Sequence, residues 1–335
     1  MISEPSQVVI IAILSILAIV DITGNSLVCV VTTRNQDMRI PFNYLLVNLA
    51  VADMMVAIFF LPFHIFIHTF THPDGVAGRV LCSLVTGGSF AWVGGACSAF
   101  TLVVIAIERY YAVNYPYGNK GKLTYSKLKV IIPASWIFAL IMEMPGFLSS
   151  DYDGTLSICT LVFPEEWMGK AFSVVWFLVF GGLPIPLMAV LYSTVVYDLW
   201  FTRNQQHELS YQQQCIFVYF QGVLKIRKRV TLTAVTVSVI FSICWMTDAV
   251  IFLLSYHSTT SSPSDVTWAI AAVMILFNSA INPFVYALIN ERFREKIKRL
   301  IGYRWRSTNQ IQGITGTPHI NLATSSTQPT QITAE

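Results

Sequence analysis

Residues 46–55 read LVNLAVADMM, within a run from 41 to 71 whose single charge is Asp53. The run exceeds the ~20 residues a helix needs to cross a bilayer. A carboxylate at the centre of the hydrocarbon costs about 2.5–3.5 kcal/mol on insertion scales. A chain that places one there must supply polar partners at the same depth.

Six further charge-poor runs accompany it. Residues 8–33 carry only Asp21, 130–150 only Glu143 and 230–256 only Asp248, while 80–107, 171–197 and 266–290 carry no charge. The 335-residue chain is 54% hydrophobic and 12% charged, about half the charged fraction of a soluble protein. Lipid offers unpaired backbone no partners, so the expected architecture is an all-α membrane protein, a bundle of seven transmembrane helices. Residues 8–20 follow no Lys or Arg and precede no small-residue cleavage site, so they read as the first span rather than a signal peptide.

Orientation follows from the basic residues. Of 21 Lys and Arg, 19 fall on one set of connections and the tail on the same side; only Arg79 and Lys170 lie opposite. The basic side is cytoplasmic. This gives a multi-pass plasma-membrane protein with a short extracellular N-terminus (1–7), a membrane domain (8–290) and a cytoplasmic C-terminus. With so short an N-terminus, a ligand must be gripped by the loops and the bundle. In 291–301, Phe293, Ile297 and Leu300 fall at helical spacing among basic residues, as in an amphipathic helix on the membrane surface. Residues 302–335, rich in Ser, Thr, Gln, Gly and Pro, read as a disordered tail. The outer side carries Glu4, Asp74, Asp151, Asp153, Glu165, Glu166 and Asp265. These are either ordinary solvated loops or a field that draws cationic ligands.

Cys82 and Cys159 are the two cysteines on the oxidising side, so a disulfide between them is expected. The stretch CIFVYFQGVL, 215–224, is too short to span the membrane. It either extends the sixth helix, docks on the membrane or reflects an error in the gene sequence.

Partners for Asp53 can be sought by depth, at ~1.5 Å per residue. Asp53 lies ~15 Å from its inner end, Asn25 ~12 Å, Ser98 ~16 Å and Asn282 ~12 Å, with Asn278 and Ser279 one turn higher. Four helices thus bring polar groups to one level around a single carboxylate. The cluster is either a hydrated pocket for Na⁺ or H⁺, or static polar glue between helices. In INPFVY, 281–286, Pro283 removes a helix hydrogen bond and kinks the span, and Asn282 can satisfy the freed backbone. In IAIERYYAV, Glu108 and Arg109 can pair where membrane meets water. That pair is either an interface anchor or an arginine that swings out to a cytoplasmic partner.

GNSLV with Asn25, NLAVAD with Asp53, Cys82, ERY with Glu108, Arg109 and Tyr110, Trp136, Pro184 with Tyr192, CW at 244–245 and NPFVY with Pro283 and Tyr286 follow in order, then Phe293. Over residues 8–300 this pattern resembles rhodopsin-like (class A) G-protein-coupled receptors. The resemblance implies that Asp53 binds Na⁺ in the inactive state, helped by Ser98, Asn278, Ser279 and Asn282. It further implies that ligand binding collapses this pocket, Arg109 reorients, Tyr192 and Tyr286 move inward, and the sixth helix swings out to admit a heterotrimeric G protein. Arrestin would be a second cytoplasmic partner. The only cofactor implied is the allosteric ion, no covalent chemistry is performed, and no nucleic acid is a partner.

Three features depart from the family. Thr247 stands where a proline usually follows Trp245 by two residues, so a kink there needs hydroxyl back-bonding or water. Cys82 precedes Arg109 by 27 residues, two more than usual, with the four glycines of GGSFAWVGG available to absorb a bulge. Arg227, Lys228 and Arg229 open the sixth helix without the acid that often restrains the arginine at 109, which would raise basal activity.

No lysine lies in 266–290 to carry retinal, and no acid lies between Cys82 and Glu108 to pair with an amine ligand. The remaining resemblance is to neuropeptide receptors of the tachykinin, neuropeptide Y and RFamide type. Asp248, ~28 Å above the inner face beside Trp245, and Glu143, at ~21 Å, are the candidate contacts for a cationic peptide. For Glu143 a hydrogen bond between helices is the alternative. A non-peptide ligand, or a seven-helix transporter, are the competing functions; the internal repeat common in transporters is not seen.

Overall fold

The computed structural model describes residues 4–64, 72–73, 75–115, 121–154, 158–200, 214–258 and 264–312. Among these, seven helices are long and apolar enough to cross a membrane. The first is α1 (Glu4–Arg34) and the second α2 (Pro41–His64). The third span combines α3 (Gly75–Leu81), a π-helical turn (Cys82–Thr86) and α4 (Ser89–Asn114). The fourth is α5 (Tyr125–Ser149). The fifth combines α6 (Glu166–Phe177), a second π turn (Leu178–Gly182) and α7 (Pro184–Trp200). The sixth is α8 (Gln214–His257), the seventh α9 (Asp265–Ile289), and α10 (Glu291–Gln312) follows.

These helices are apolar nearly all round, so polarity decides which face turns inward. Ile19, Val130, Ile137, Leu148, Val190, Ile243 and Leu288 are exposed, whereas Asp21, Asn25, Asn48, Asp53, Ser98, Asn278 and Asn282 are buried. This is an inside-out arrangement that only a lipid environment favours, and the chain is a multi-pass membrane protein. The fully buried α4 segment around Gly94–Ser98 packs at the centre, against α2, α5, α7 and α8. Thr124 and Ser264 cap α5 and α9, each side chain accepting the N–H three residues on.

Several expectations are met and others corrected. The two-residue surplus after Cys82 falls where the third span leaves regular geometry: the π turn takes extra residues, and Gly88 follows with φ of 77°, which glycine tolerates without penalty. Gly94 and Gly95 absorb no bulge; they sit in regular helix and admit close neighbours. Thr247 makes the expected back-bond, donating to the Ile243 carbonyl at 2.8 Å. Residues 215–224 lie within α8 and lengthen the sixth helix. The first helix starts at Glu4, inside the segment read as 1–7. The last helix runs to Gln312 rather than 301, because Ile301 and Trp305 continue its apolar spacing. Residues 313–335, the rest of the expected tail, lie outside the described residues.

After α5 the chain forms a hairpin that sequence periodicity did not announce. Strand β1 (Ser150–Asp153) pairs antiparallel with β2 (Ile158–Leu161), Tyr152 facing Cys159. Cys159 is bonded to Cys82, with Cα atoms 5.7 Å apart. The bridge staples the hairpin to the end of the third span. His72 stacks on Tyr152 with ring centroids 4.3 Å apart and meets the Thr86 hydroxyl at 2.8 Å.

Candidate functional site

At the hairpin end the bundle encloses a cavity of about 460 Å³, within the usual range for ligand sites. Its wall is aromatic: Trp92, Phe172, Trp176, Phe252, Tyr256 and Trp268. Cys159, Thr160 and Leu161 of β2 also border it, so the disulfide positions part of the cavity wall. Glu143 and Asp248 both line the cavity and both are at most 3% exposed. Neither makes a hydrogen bond or ion pair among the described residues. A helix-to-helix bond was the competing reading of Glu143, and none is present there. The Glu143 carboxyl folds over Gly146, where a Cβ would overlap its Oε1. Among the described residues, the cavity thus combines two carboxyl groups that have no hydrogen-bond partner with a largely aromatic wall.

Trp245, expected beside Asp248 as a ligand contact, does not line the cavity; it lies behind Trp92, one turn from Asp248. Its indole stacks on Phe180, with centroids 4.3 Å apart and planes 6° from parallel, and meets Phe241 and Trp92 at 5.8 and 6.1 Å. Its N–H has no hydrogen-bond partner.

Nearer the middle of the bundle lies the polar centre. Asp53 accepts hydrogen bonds from Ser98 (3.1 Å) and Asn282 (2.7 Å). Pro283 frees the carbonyl of Ser279 four residues earlier. Asn25, not Asn282, satisfies that carbonyl, at 3.1 Å. Gly24 permits the approach: a Cβ there would stand 2.9 Å from the Pro283 ring. Asn25 also donates to the Asp21 carboxylate at 2.6 Å. The expectation of a single carboxylate at this level is therefore corrected: Asp21 is a second fully buried acid, joined through Asn25 and the Ser279 carbonyl to the α9 segment whose Asn282 donates to Asp53. The signal was present in the sequence, since Asp21 precedes Asn25 by four residues and shares its helical face. Among the described residues, five buried oxygens on these side chains lack hydrogen-bond partners: Asp21 Oδ2, Asn25 Oδ1, Asn278 Oδ1, Ser279 Oγ and Asn282 Oδ1. Such a set suits a small cation or ordered water. A second polar knot joins Asn48 to Thr101 at 2.9 Å and to the Trp136 indole at 3.0 Å.

At the opposite end, Arg109 pairs with Glu108 beside it, and its guanidinium lies 4.1 Å above the Phe42 ring. Tyr110 packs on a cluster of Val113, Val195, Leu199 and Leu224. The Tyr192 hydroxyl meets Ser238 at 3.1 Å, and the Tyr286 ring stands edge-on to Phe293 at 6.1 Å. The sixth helix has no acid for Arg109, but it is tied by another pair, Arg229 with Glu291. Lys296 reaches Asp37 at 2.8 Å. The hydrogen bonds from Arg229 and Lys296 hold the Glu291 and Asp37 carboxyls below their ordinary ranges.

The family model for the "7 transmembrane receptor (rhodopsin family)" matches residues 24–286. Similar proteins include the pyroglutamylated RF-amide peptide receptor of Rattus norvegicus, 28% identical over 84% of this chain and 66% of that receptor. The allatostatin-A receptor of Bombyx mori is 27% identical over 85% of this chain and 77% of its own. The thyrotropin-releasing hormone receptor of Gallus gallus is 29% identical over 88% and 78%. The chain thus spans about two thirds of the rat receptor's length. These proteins are receptors rather than enzymes, and the matched region contains the cavity, Asp53 with Ser98 and Asn282, and Arg109; the chain belongs to the rhodopsin family of seven-transmembrane receptors.

Proposed function

We propose that this chain is a plasma-membrane receptor that binds a short cationic neuropeptide at its hairpin end and activates a heterotrimeric G protein at its Arg109 end. The observation that carries the reading is the pair of unpartnered buried carboxylates, Asp248 and Glu143, in one aromatic cavity. Its similarity to peptide and hormone receptors supports the ligand class. The excess of Lys and Arg on the Arg109 side supports an extracellular N-terminus and a cytoplasmic C-terminus.

A peptide cation against Asp248 sits one turn from Trp245, whose stack with Phe180 links α8 to the π turn of the fifth span. A ligand biases such a bundle only if it binds one arrangement better. Moving α8 outward breaks Tyr192–Ser238 and Arg229–Glu291 and exposes Arg109 to the G protein and, in turn, to arrestin. Na⁺ held by Asp53, with Ser98, Asn278, Ser279 and Asn282, opposes that movement by supplying the charge that the unpartnered oxygens lack. The test is a library of amidated peptides on cells expressing the chain with a promiscuous G protein. Responses to basic members are expected; uptake of a labelled solute without any G-protein response would instead make it a transporter.

A further inference from the structure

The sodium reading uses one acid, yet the polar centre contains two. Asp21 enters from α1, a helix that supplies none of the ligands in that reading. Its carboxylate is fully buried, one oxygen is held by Asn25 and the other has no partner. Asn25 also ties Asp21 to the Ser279 carbonyl, and so to the α9 segment that contributes Asn278, Ser279 and Asn282. Asn282 closes the chain by donating to Asp53. The two acids therefore flank one set of unpartnered oxygens, and three of these, on Asn25, Asn278 and Asn282, are amide oxygens that can only accept.

Water can satisfy such acceptors, but it does not answer the charge. Two buried carboxylates joined through Asn25, the Ser279 carbonyl and Asn282 are each costly to ionise without a counter-charge. An oxygen-lined site with two carboxylates meets the demand of a hard cation.

We propose that Asp21 is a second carboxylate of the Asp53 cation site, so that Na⁺ is held between α1 and α2 rather than by the α2 acid alone. This rests on the sodium reading of Asp53. It gives α1, which otherwise packs at the edge of the bundle on α2 and α9, a direct part in the ion's effect.

The probe is Na⁺ alone, on the purified full chain, with KCl holding ionic strength constant. Thermal unfolding is followed by a thiol-reactive dye, since Cys97 and Cys244 are free and buried. In wild type the midpoint rises saturably with Na⁺. Asp53→Asn abolishes the rise. Asp21→Asn needs at least about tenfold more Na⁺ for half the rise. Asp21→Ser, smaller and equally neutral, carries the same test should the asparagine variant fail to fold. If the Asp21 variants titrate at the wild-type Na⁺ concentration while Asp53→Asn does not respond, Asp21 is no ligand and the Asp53 site stands. If wild type ignores Na⁺, the sodium reading itself fails and this inference with it.

Discussion

The indole of Trp245 rests against the backbone of Gly95, so close that a Cβ at position 95 would overlap its six-membered ring. The indole is also stacked on Phe180 and fully buried, so it has no free direction in which to move. Gly95→Ala is therefore expected to destabilise this arrangement by about 1–3 kcal/mol, the usual cost of overpacking. The thermal midpoint of the purified receptor should fall, and an unchanged midpoint would mean that Trp245 is loosely held.

The Cys82–Cys159 bridge fixes β2 where it borders the cavity. Replacing either cysteine by alanine should cost about 2–5 kcal/mol and reduce ligand binding or surface delivery. The double variant should be little worse than either single one. Labelling of both cysteines by a membrane-impermeant maleimide on intact, unreduced cells would show the bridge to be absent.

Asp248 has no hydrogen-bond or ion-pair partner among the described residues, so its partner is expected from the ligand. Asp248→Asn should weaken a basic agonist by about 1.5–3 kcal/mol, the worth of a charge-assisted hydrogen bond, and hardly affect an analogue with citrulline for arginine. Neutralising Asp151, which pairs with Arg79 at the surface, should mainly slow association, and salt should mimic that effect, because solvent-facing charges are screened over ~8 Å. Equal losses for the arginine and citrulline peptides would remove Asp248 from the contact.

Arg229 and Glu291 join the sixth helix to the start of α10. Exposed pairs are weak, so Arg229→Glu is expected to raise basal signalling by no more than about fivefold. Arg229→Glu with Glu291→Arg should restore it. The lowered proton affinity of Glu291 sets the pH window. The contribution of the pair is full above the ordinary glutamate value of 4.5 and is lost as pH falls through the lowered one. A charge-swapped pair that stays as active as the single variant would show that the contact does not restrain α8.

The spans were legible because length and apolarity alone determine a membrane helix, and Asp53 with Ser98 and Asn282 was legible because depth can be counted along a helix. What depth does not give is rotation. It placed Asn25 at the right level, but whether its amide would serve Asp53 or the carbonyl freed by Pro283 depends on how α1 turns against α9. Asp21 was hidden for the same reason. The hairpin was not visible because four-residue strands joined to the bundle by a disulfide have too little periodicity to read. Glu143 and Asp248 could each be named, but their meeting in one cavity is a property of packing between helices distant in sequence.

The most direct test is nucleotide exchange. The full chain is placed in lipid with a heterotrimeric G protein, and uptake of a labelled, non-hydrolysable GTP analogue is followed while amidated peptides of graded charge are added. The expected result is faster exchange with basic peptides, a rightward shift for Asp248→Asn, and no response from Arg109→Ala. Exchange driven by a neutral lipid or an acidic metabolite, with basic peptides inert, would contradict the cationic-peptide reading; no exchange under any ligand, with solute moving across the membrane, would contradict the receptor reading itself.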